Sequence, residues 1–376
     1  MHILIAPNAF KNSFAAGEAA KAIQKGLQLS KLECTTTCFP IADGGDGTCA
    51  LIIERCIGTI VKKEVHDPLG RKISSQFGLI DNGHTAVIEM ADASGLRLLK
   101  SEELNPLQTS SFGTGELIRF ALDEGVKKII LAMGGSATVD GGCGILNALG
   151  VDFIDGDGQK LPPVPQSLAD LTRIDVSLLD KRIADCEIVI LCDVNNKLIG
   201  PAGSAAVFGP QKGASPNDVV FLDKFLSRLD EIAFERAGKK MSELKHGGAA
   251  GGAAAGLAAF LNAKLVNGIE YFLQITGFDA ELQKSDLLVT GEGSIDEQTL
   301  QGKGPFGVAK SAKHKNIPVV GLAGKIPLRP SDELQQYFDI LFAIGNGPAE
   351  LNEALTNTKD NLVRTSKALG DLLSIS

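Results

Sequence analysis

The first apolar positions of the chain form a short unbroken run, residues 2–6 (His-Ile-Leu-Ile-Ala), the pattern of a strand buried on both faces of a parallel sheet. After a loop at 7–13, Ala19, Ala20, Ile23 and Leu27 fall on one side of a predicted helix over 15–27. The β-branched and aromatic run 34–41 predicts a second strand, and 49–56 a second helix, so the opening quarter reads β-α-β-α. Three extended segments follow, 59–67, 71–79 and 84–91, separated by the turn sequences Asp-Pro-Leu-Gly and Asp-Asn-Gly that suit a meander. A helix over 115–124 and a strand over 128–133 complete a block of α+β character, and 134–149 is a strand–glycine loop–helix junction carrying Asp140.

Further along, 187–193 is an apolar strand ending on Asp193, 208–213 (Phe-Gly-Pro-Gln-Lys-Gly) is a loop expected to expose Lys212, and 217–237 is an amphipathic helix. The Gly/Ala tract 247–259 lets loops or helices approach closely. From residue 285 the first pattern resumes, with strands at 287–290, 318–322 and 340–344 and helices at 307–314 and 360–373. Three strands added to the first two make the five of a flavodoxin-like sheet. The expected organisation is therefore a discontinuous parallel-sheet domain, 1–60 plus 285–376, interrupted by an inserted α+β domain, 61–284, with the active site in the cleft between them.

Composition narrows the partners. Of 376 residues, 44% are hydrophobic and 22% charged, which is ordinary for a globular protein. The formal charge of −8 and the lack of a basic run argue against nucleic acid or an anionic membrane, leaving a small molecule as the expected partner. Seven cysteines without a Cys-x-x-Cys pair suggest thiols rather than a disulfide framework or a zinc site. The chain opens directly on a strand with no signal-peptide pattern, and no apolar run reaches the ~20 residues of a membrane span, so a cytoplasmic location is expected. With 43 glycines, no Trp and two Tyr, backbone loops must do the binding.

In an open parallel sheet the ligand lies beyond the carboxyl ends of the strands. The loops there carry Asn8, Lys11 and Ser13; Asp43 and Asp46 with Gly44 and Gly45; and Gly291, Glu292 and Asp296. On the inserted domain the equivalent loops carry Ser136, Thr138, Asp140, Asp193 and Lys212. The stretch 40–48, Pro-Ile-Ala-Asp-Gly-Gly-Asp-Gly-Thr, combines free backbone N–H groups, which attract an anion, with two carboxylates, which repel one. A phosphate with Mg²⁺ between reconciles them. An Asp/Gly turn with a capping Asp is the plain alternative, as are a surface role for Lys11, a turn-capping role for Asp193 and a helix-start acidic pair for Glu292 and Asp296. The mixture of acids and lysines suits phosphoryl transfer, in which lysines hold phosphate, acids hold Mg²⁺ and one aspartate accepts the proton of an attacking hydroxyl. No Gly-x4-Gly-Lys-Ser/Thr loop is present, so the pattern is not that of a P-loop enzyme. The five histidines show no metal spacing and read as structural or surface groups.

Nine blocks in order along the chain carry a family resemblance: Ile5 to Lys11, Pro40 to Thr48, Val87 to Ala91, Ser110 to Ile118, Gly134 to Gly142, Cys192 to Val194, Phe208 to Gly213, Gly247 to Gly252 and Thr290 to Asp296. Together they resemble the bacterial glycerate kinase family of the type without a P-loop. The resemblance implies an ATP- and Mg²⁺-dependent kinase for D-glycerate giving 2-phosphoglycerate, with 3-phosphoglycerate less favoured. It also implies a flavodoxin-like domain interrupted by one resembling the restriction-endonuclease-like fold. On this reading Lys11 and Lys212 hold carboxylate or phosphate, Asp43, Asp46 and Glu292 bind the metal, and Asp193 or Asp296 takes the hydroxyl proton. Asn8, Ser13, Gly44, Gly45, Ser136, Thr138 and Gly291 line the substrate and phosphate positions. Two positions depart from the family pattern: Asn8 stands where an Asp is typical, and Ser294 where an Arg is frequent. The rival readings are a kinase for another small hydroxy acid and a metabolite sensor on the same fold; a homodimer is one option for the assembly.

Overall fold

The computed structural model describes residues 1–192 and 194–375, with the side chain of Gln301 outside the description. The chain divides into two compact units, one formed by Met1–Asp43 and Ile269–Ser376 and the other by Gly44–Gly268.

The first unit is built on a five-stranded sheet in which every pair is parallel. Across the sheet the strands run Ile340–Ala343, Val319–Lys325, Leu287–Ser294, His2–Ile5 and Thr35–Cys38. In chain order this is 2-1-3-4-5, the flavodoxin-like arrangement, whose switch point lies between His2–Ile5 and Leu287–Ser294. The apolar run Ile3, Leu4 and Ile5 is buried completely, as a two-sided strand requires. Helix Ala16–Gln28 covers one face through Ala19, Ala20, Ile23 and Leu27, the residues the periodicity picked out. It packs on helix Thr358–Leu373 so closely that a Cβ built at Gly26 would lie 2.4 Å from the Val363 carbonyl oxygen. Only hydrogen fits there.

The second unit holds a six-stranded mixed sheet in the order Lys264–Asn267, Glu187–Cys192, Lys128–Ala132, Thr85–Glu89, Lys72–Ile80 and Thr59–His66. The first four of these strands are mutually parallel, and the last three form the antiparallel meander anticipated from the turn sequences. The parallel edge strand Lys264–Asn267 escaped the sequence reading because only four residues pair, at the rim of the sheet. The 162–180 segment contributes Arg173–Asp175, which pairs antiparallel with Asp152–Ile154.

The unit boundaries fall at 43/44 and 268/269, not at 60/61 and 284/285. The first differs because helix Thr48–Arg55 packs on the inserted sheet: Ile53 fills the space left by Gly78, and Glu89 accepts hydrogen bonds from the N–H groups of Gly47 and Cys49. The second differs because Ile269 packs on Gly307, and the Phe278 ring meets Phe39 edge-on at 5.2 Å, both within the first unit.

Candidate active site

In the first unit, acidic and basic side chains gather where the strands His2–Ile5 and Leu287–Ser294 end. Asn8 is held by its backbone N–H to the Gly291 carbonyl and donates from Nδ2 to Asp43 Oδ2 at 3.0 Å. The same oxygen accepts the Gly304 N–H at 3.3 Å, at the start of helix Gly304–His314. Asp43 Oδ1 has no hydrogen-bond partner among the described residues. Glu292 is buried, and its Oε1 accepts the Thr299 hydroxyl at 3.1 Å. Burial, with Asp43 adding to it, pushes the Glu292 carboxyl up to about 7, against the pull of Lys303, the Thr299 hydroxyl and Lys11. Two carboxylates with nearby lysines thus lie at the carboxyl ends of the sheet's strands. Gly291 belongs here for a packing reason, since a Cβ built on it would lie 2.2 Å from the Leu322 carbonyl oxygen.

Two of the expected site residues in this unit are engaged in structure. The Ser13 hydroxyl donates to the Leu355 carbonyl at 2.5 Å. Asp296 closes the turn after the strand, accepting the Ser294 hydroxyl on Oδ2 and the Gln298 N–H on Oδ1. Each of its oxygens thus takes one local hydrogen bond.

In the second unit the loops at the carboxyl ends of three parallel strands are stitched together. The Gly44 carbonyl accepts the Gly134 N–H at 2.9 Å, which lays the Gly44–Gly45 segment over the loop after Lys128–Ala132. Gly44 has φ +103°, and a Cβ there would also approach the Leu191 carbonyl to 3.0 Å. Asp46 is exposed; its Oδ1 lies against Gly135, and its charge bears on Asp92. Lys212, expected on an exposed loop, is 2% exposed instead. Its Nζ donates to Ser136 Oγ at 2.9 Å and to the Thr138 carbonyl at 2.7 Å. The short helical turn Pro210–Lys212 directs it inward, and Gly213 at φ +94° closes against the Leu104 carbonyl. Burial lowers the Lys212 ammonium to about 7, with the Asp140 charge pulling the other way. The hydroxyls of Thr138 and Ser204 are sealed from solvent and lack a partner among the described residues. Asp140 itself is a buried structural clamp, accepting from Ser111 N and Oγ at 2.8 and 2.6 Å and from the N–H groups of Gly142 and Gly144. Asp193 lies outside the described residues.

The comparisons with known proteins bear on the whole chain. The model of the glycerate kinase family matches residues 3–374. This chain belongs to the glycerate kinase family. It is 41% identical to the glycerate kinase of Bacillus subtilis (strain 168) over 376 residues, covering 100% of this chain and 98% of that protein. It is 40% identical to the glycerate 2-kinase of Escherichia coli (strain K12) over 375 residues, again 100% and 98%. A crystal structure from Salmonella typhimurium LT2, provisionally named glycerate kinase 2, superposes with a TM-score of 0.84 at 42% identity, covering 100% of this chain and 98% of that one.

As a glycerate kinase family member the chain is a phosphotransferase acting on an alcohol group, with ATP as the phosphoryl donor and a small molecule as the acceptor. Among the described residues no helix is long and apolar enough to cross a membrane. Several residues beside the loops of the second unit were not singled out from sequence. Glu89 anchors the N–H groups of Gly47 (2.9 Å) and Cys49 (3.3 Å), while Arg97 reaches both Glu89 and Asp92. Burial, chiefly, raises the carboxyls of both acids. The run Val-Ile-Glu-Met-Ala was noted only as a family block, because an acid at a strand end signals neither a cap nor a ligand by itself. Ser204 and His246 gave no signal, since their neighbours come from distant parts of the chain.

Proposed function

We propose that this kinase transfers the γ-phosphoryl group of ATP to the 2-hydroxyl of D-glycerate, giving 2-phosphoglycerate and ADP. The observation that carries the reading is the placement of Asp43 and buried Glu292 at the carboxyl ends of the parallel strands, with the charges of Asp43, Lys303 and Lys11 all bearing on Glu292. Phosphoryl transfer asks for positioning and for charge on the phosphate oxygens, and little covalent chemistry from the protein.

The donor set suits Mg²⁺, which takes one or two carboxylates and completes its shell with phosphate oxygens and water. Asp43 Oδ1 and the second oxygen of Glu292 are the atoms that would hold it, since Asp43 Oδ2 and Glu292 Oε1 are already hydrogen-bonded. Bound there, the ion would neutralise charge on the transferring phosphate. Asp43 and Glu292 are assigned to the ion; Asp46, the third acid expected there, is exposed on the second unit with its Oδ1 against Gly135. Lys11 is exposed and free to swing onto a phosphate or the substrate carboxylate. In the second unit Lys212 is assigned to an anionic oxygen, with Ser136 and Thr138 fixing its Nζ. Gly44 and Gly45 present backbone without a side chain in the way.

The test is ATP turnover with purified protein, Mg²⁺ and a panel of small hydroxy acids, following ADP release. The expected result is a kcat/KM for D-glycerate well above that for L-glycerate, lactate or tartrate. A better acceptor among the others would replace the substrate, and ATP turnover with none of them would contradict the kinase reading.

A further inference from the structure

We propose that His246 is a further catalytic residue, whose Nε2 accepts the proton of the attacking hydroxyl; this deepens the kinase reading above and rests on it. His246 is buried and has φ +65°, a left-handed conformation uncommon for a residue other than glycine. Residues are held in such conformations where the surrounding structure over-determines them, most frequently at functional sites. The surroundings here are well defined. Nδ1 lies 2.7 Å from the Val194 carbonyl oxygen. A carbonyl can only accept, so Nδ1 carries the hydrogen, and in the neutral ring Nε2 is left as a lone-pair acceptor. Nε2 has no hydrogen-bond partner among the described residues, yet it is not sealed in the manner of the Thr138 and Ser204 hydroxyls.

Immediately after His246, the Gly248 N–H donates to the Asn196 carbonyl at 3.0 Å, in the loop that follows Glu187–Cys192. The Gly251 carbonyl accepts the Gly141 N–H at 3.0 Å, and a Cβ on Gly251 would lie 2.0 Å from the Thr138 carbonyl oxygen, the same oxygen that takes a hydrogen bond from Lys212. The His246–Gly252 segment is thus pinned to the loops after two adjacent parallel strands, at their carboxyl ends. Asp296, the other expected acceptor in the described structure, takes one hydrogen bond from its own turn on each oxygen. In the step assigned to His246, the hydroxyl oxygen forms a bond to the γ-phosphorus and the bond from that phosphorus to the β–γ bridging oxygen breaks. ADP leaves, and the hydroxyl proton passes to Nε2.

Two substitutions test this. His246→Asn keeps a side-chain N–H that can reach Val194 and tolerates the left-handed backbone, but it removes the imidazole acceptor. The expected result is a kcat lowered roughly 10²- to 10⁴-fold with KM for ATP and D-glycerate little changed. His246→Gly also accepts the backbone conformation, and added imidazole should restore part of its kcat. A kcat for His246→Asn close to that of the parent would overturn the proposal, as would a loss that falls on KM in both variants with no imidazole response. The parent protein's own turnover of D-glycerate, measured alongside, separates a failure of this proposal from a failure of the kinase reading.

Discussion

The Nζ of Lys212 stands 2.9 Å from the Oγ of Ser136, two residues 76 positions apart that meet in the interior of the second unit. Burial makes an ammonium there costly to keep protonated, in spite of its two acceptors and the charge of Asp140. An arriving phosphate or carboxylate oxygen would reverse that preference.

Binding of nucleotide or glycerate near pH 8 should therefore be accompanied by proton uptake, seen as a dependence of calorimetric enthalpy on buffer ionisation. Lys212→Met should abolish the uptake and lower turnover at least about 10²-fold. The stability consequence has a definite sign. With a folded value of about 7 against an ordinary 10.5, the unfolded chain holds more protons between those limits, so the parent gains stability as pH rises from 7 to 10.5. Lys212→Met should lack that gain, by on the order of a few kcal/mol.

Glu292 titrates in the opposite sense. Its carboxyl is raised from 4.5 to about 7, so its contribution to stability is full below pH 4.5 and is lost as pH rises through 7. Denaturant titrations from pH 4 to 8 should show this decline in the parent and not in Glu292→Gln. Turnover of Glu292→Gln should fall about 10²-fold or more, and a variant that retained full turnover would remove Glu292 from the metal assignment.

Asn8 is the family departure with the clearest geometry. Its Nδ2 donates to Asp43 Oδ2, so Asn8→Asp would replace a 3.0 Å hydrogen bond by two facing carboxylates. Without Mg²⁺ this should lower stability by about 1–3 kcal/mol. The deficit should shrink when Mg²⁺ is added, as measured by thermal melting with and without the ion. A deficit unaltered by Mg²⁺ would place the ion away from Asp43.

Gly251 tests the stitching of the second unit's loops. At φ +70° and with a Cβ position 2.0 Å from the Thr138 oxygen, Gly251→Ala should cost more than about 2 kcal/mol and displace the carbonyl that holds Lys212. Urea unfolding measures the cost, and kcat should fall along with it.

What could be read from the chain beforehand followed local physics. The run Ile3–Ile5, the periodicity of Ala19, Ala20, Ile23 and Leu27, and the Asp-Asn-Gly turn each declare their element within a few residues. The alternation of strands and helices was then enough for the 2-1-3-4-5 sheet. What stayed hidden was set by long-range packing. Polarity alone put Lys212 on the surface, whereas tertiary contacts with Ser136 and Thr138 bury it. The boundary between Asp43 and Asp46 was hidden too, since the two acids stand three positions apart in one glycine-rich run and belong to different units. His246 carries no sequence signal at all, because its meaning lies in a left-handed backbone and a carbonyl 52 residues away.

The account stands or falls on the product. Purified protein with ATP, Mg²⁺ and D-glycerate, followed by phosphorus NMR, distinguishes the two phosphoglycerates in one experiment. Growth of a 2-phosphoglycerate resonance with matching ADP is the result expected here; 3-phosphoglycerate, or bound glycerate with no phosphoryl transfer, would contradict it.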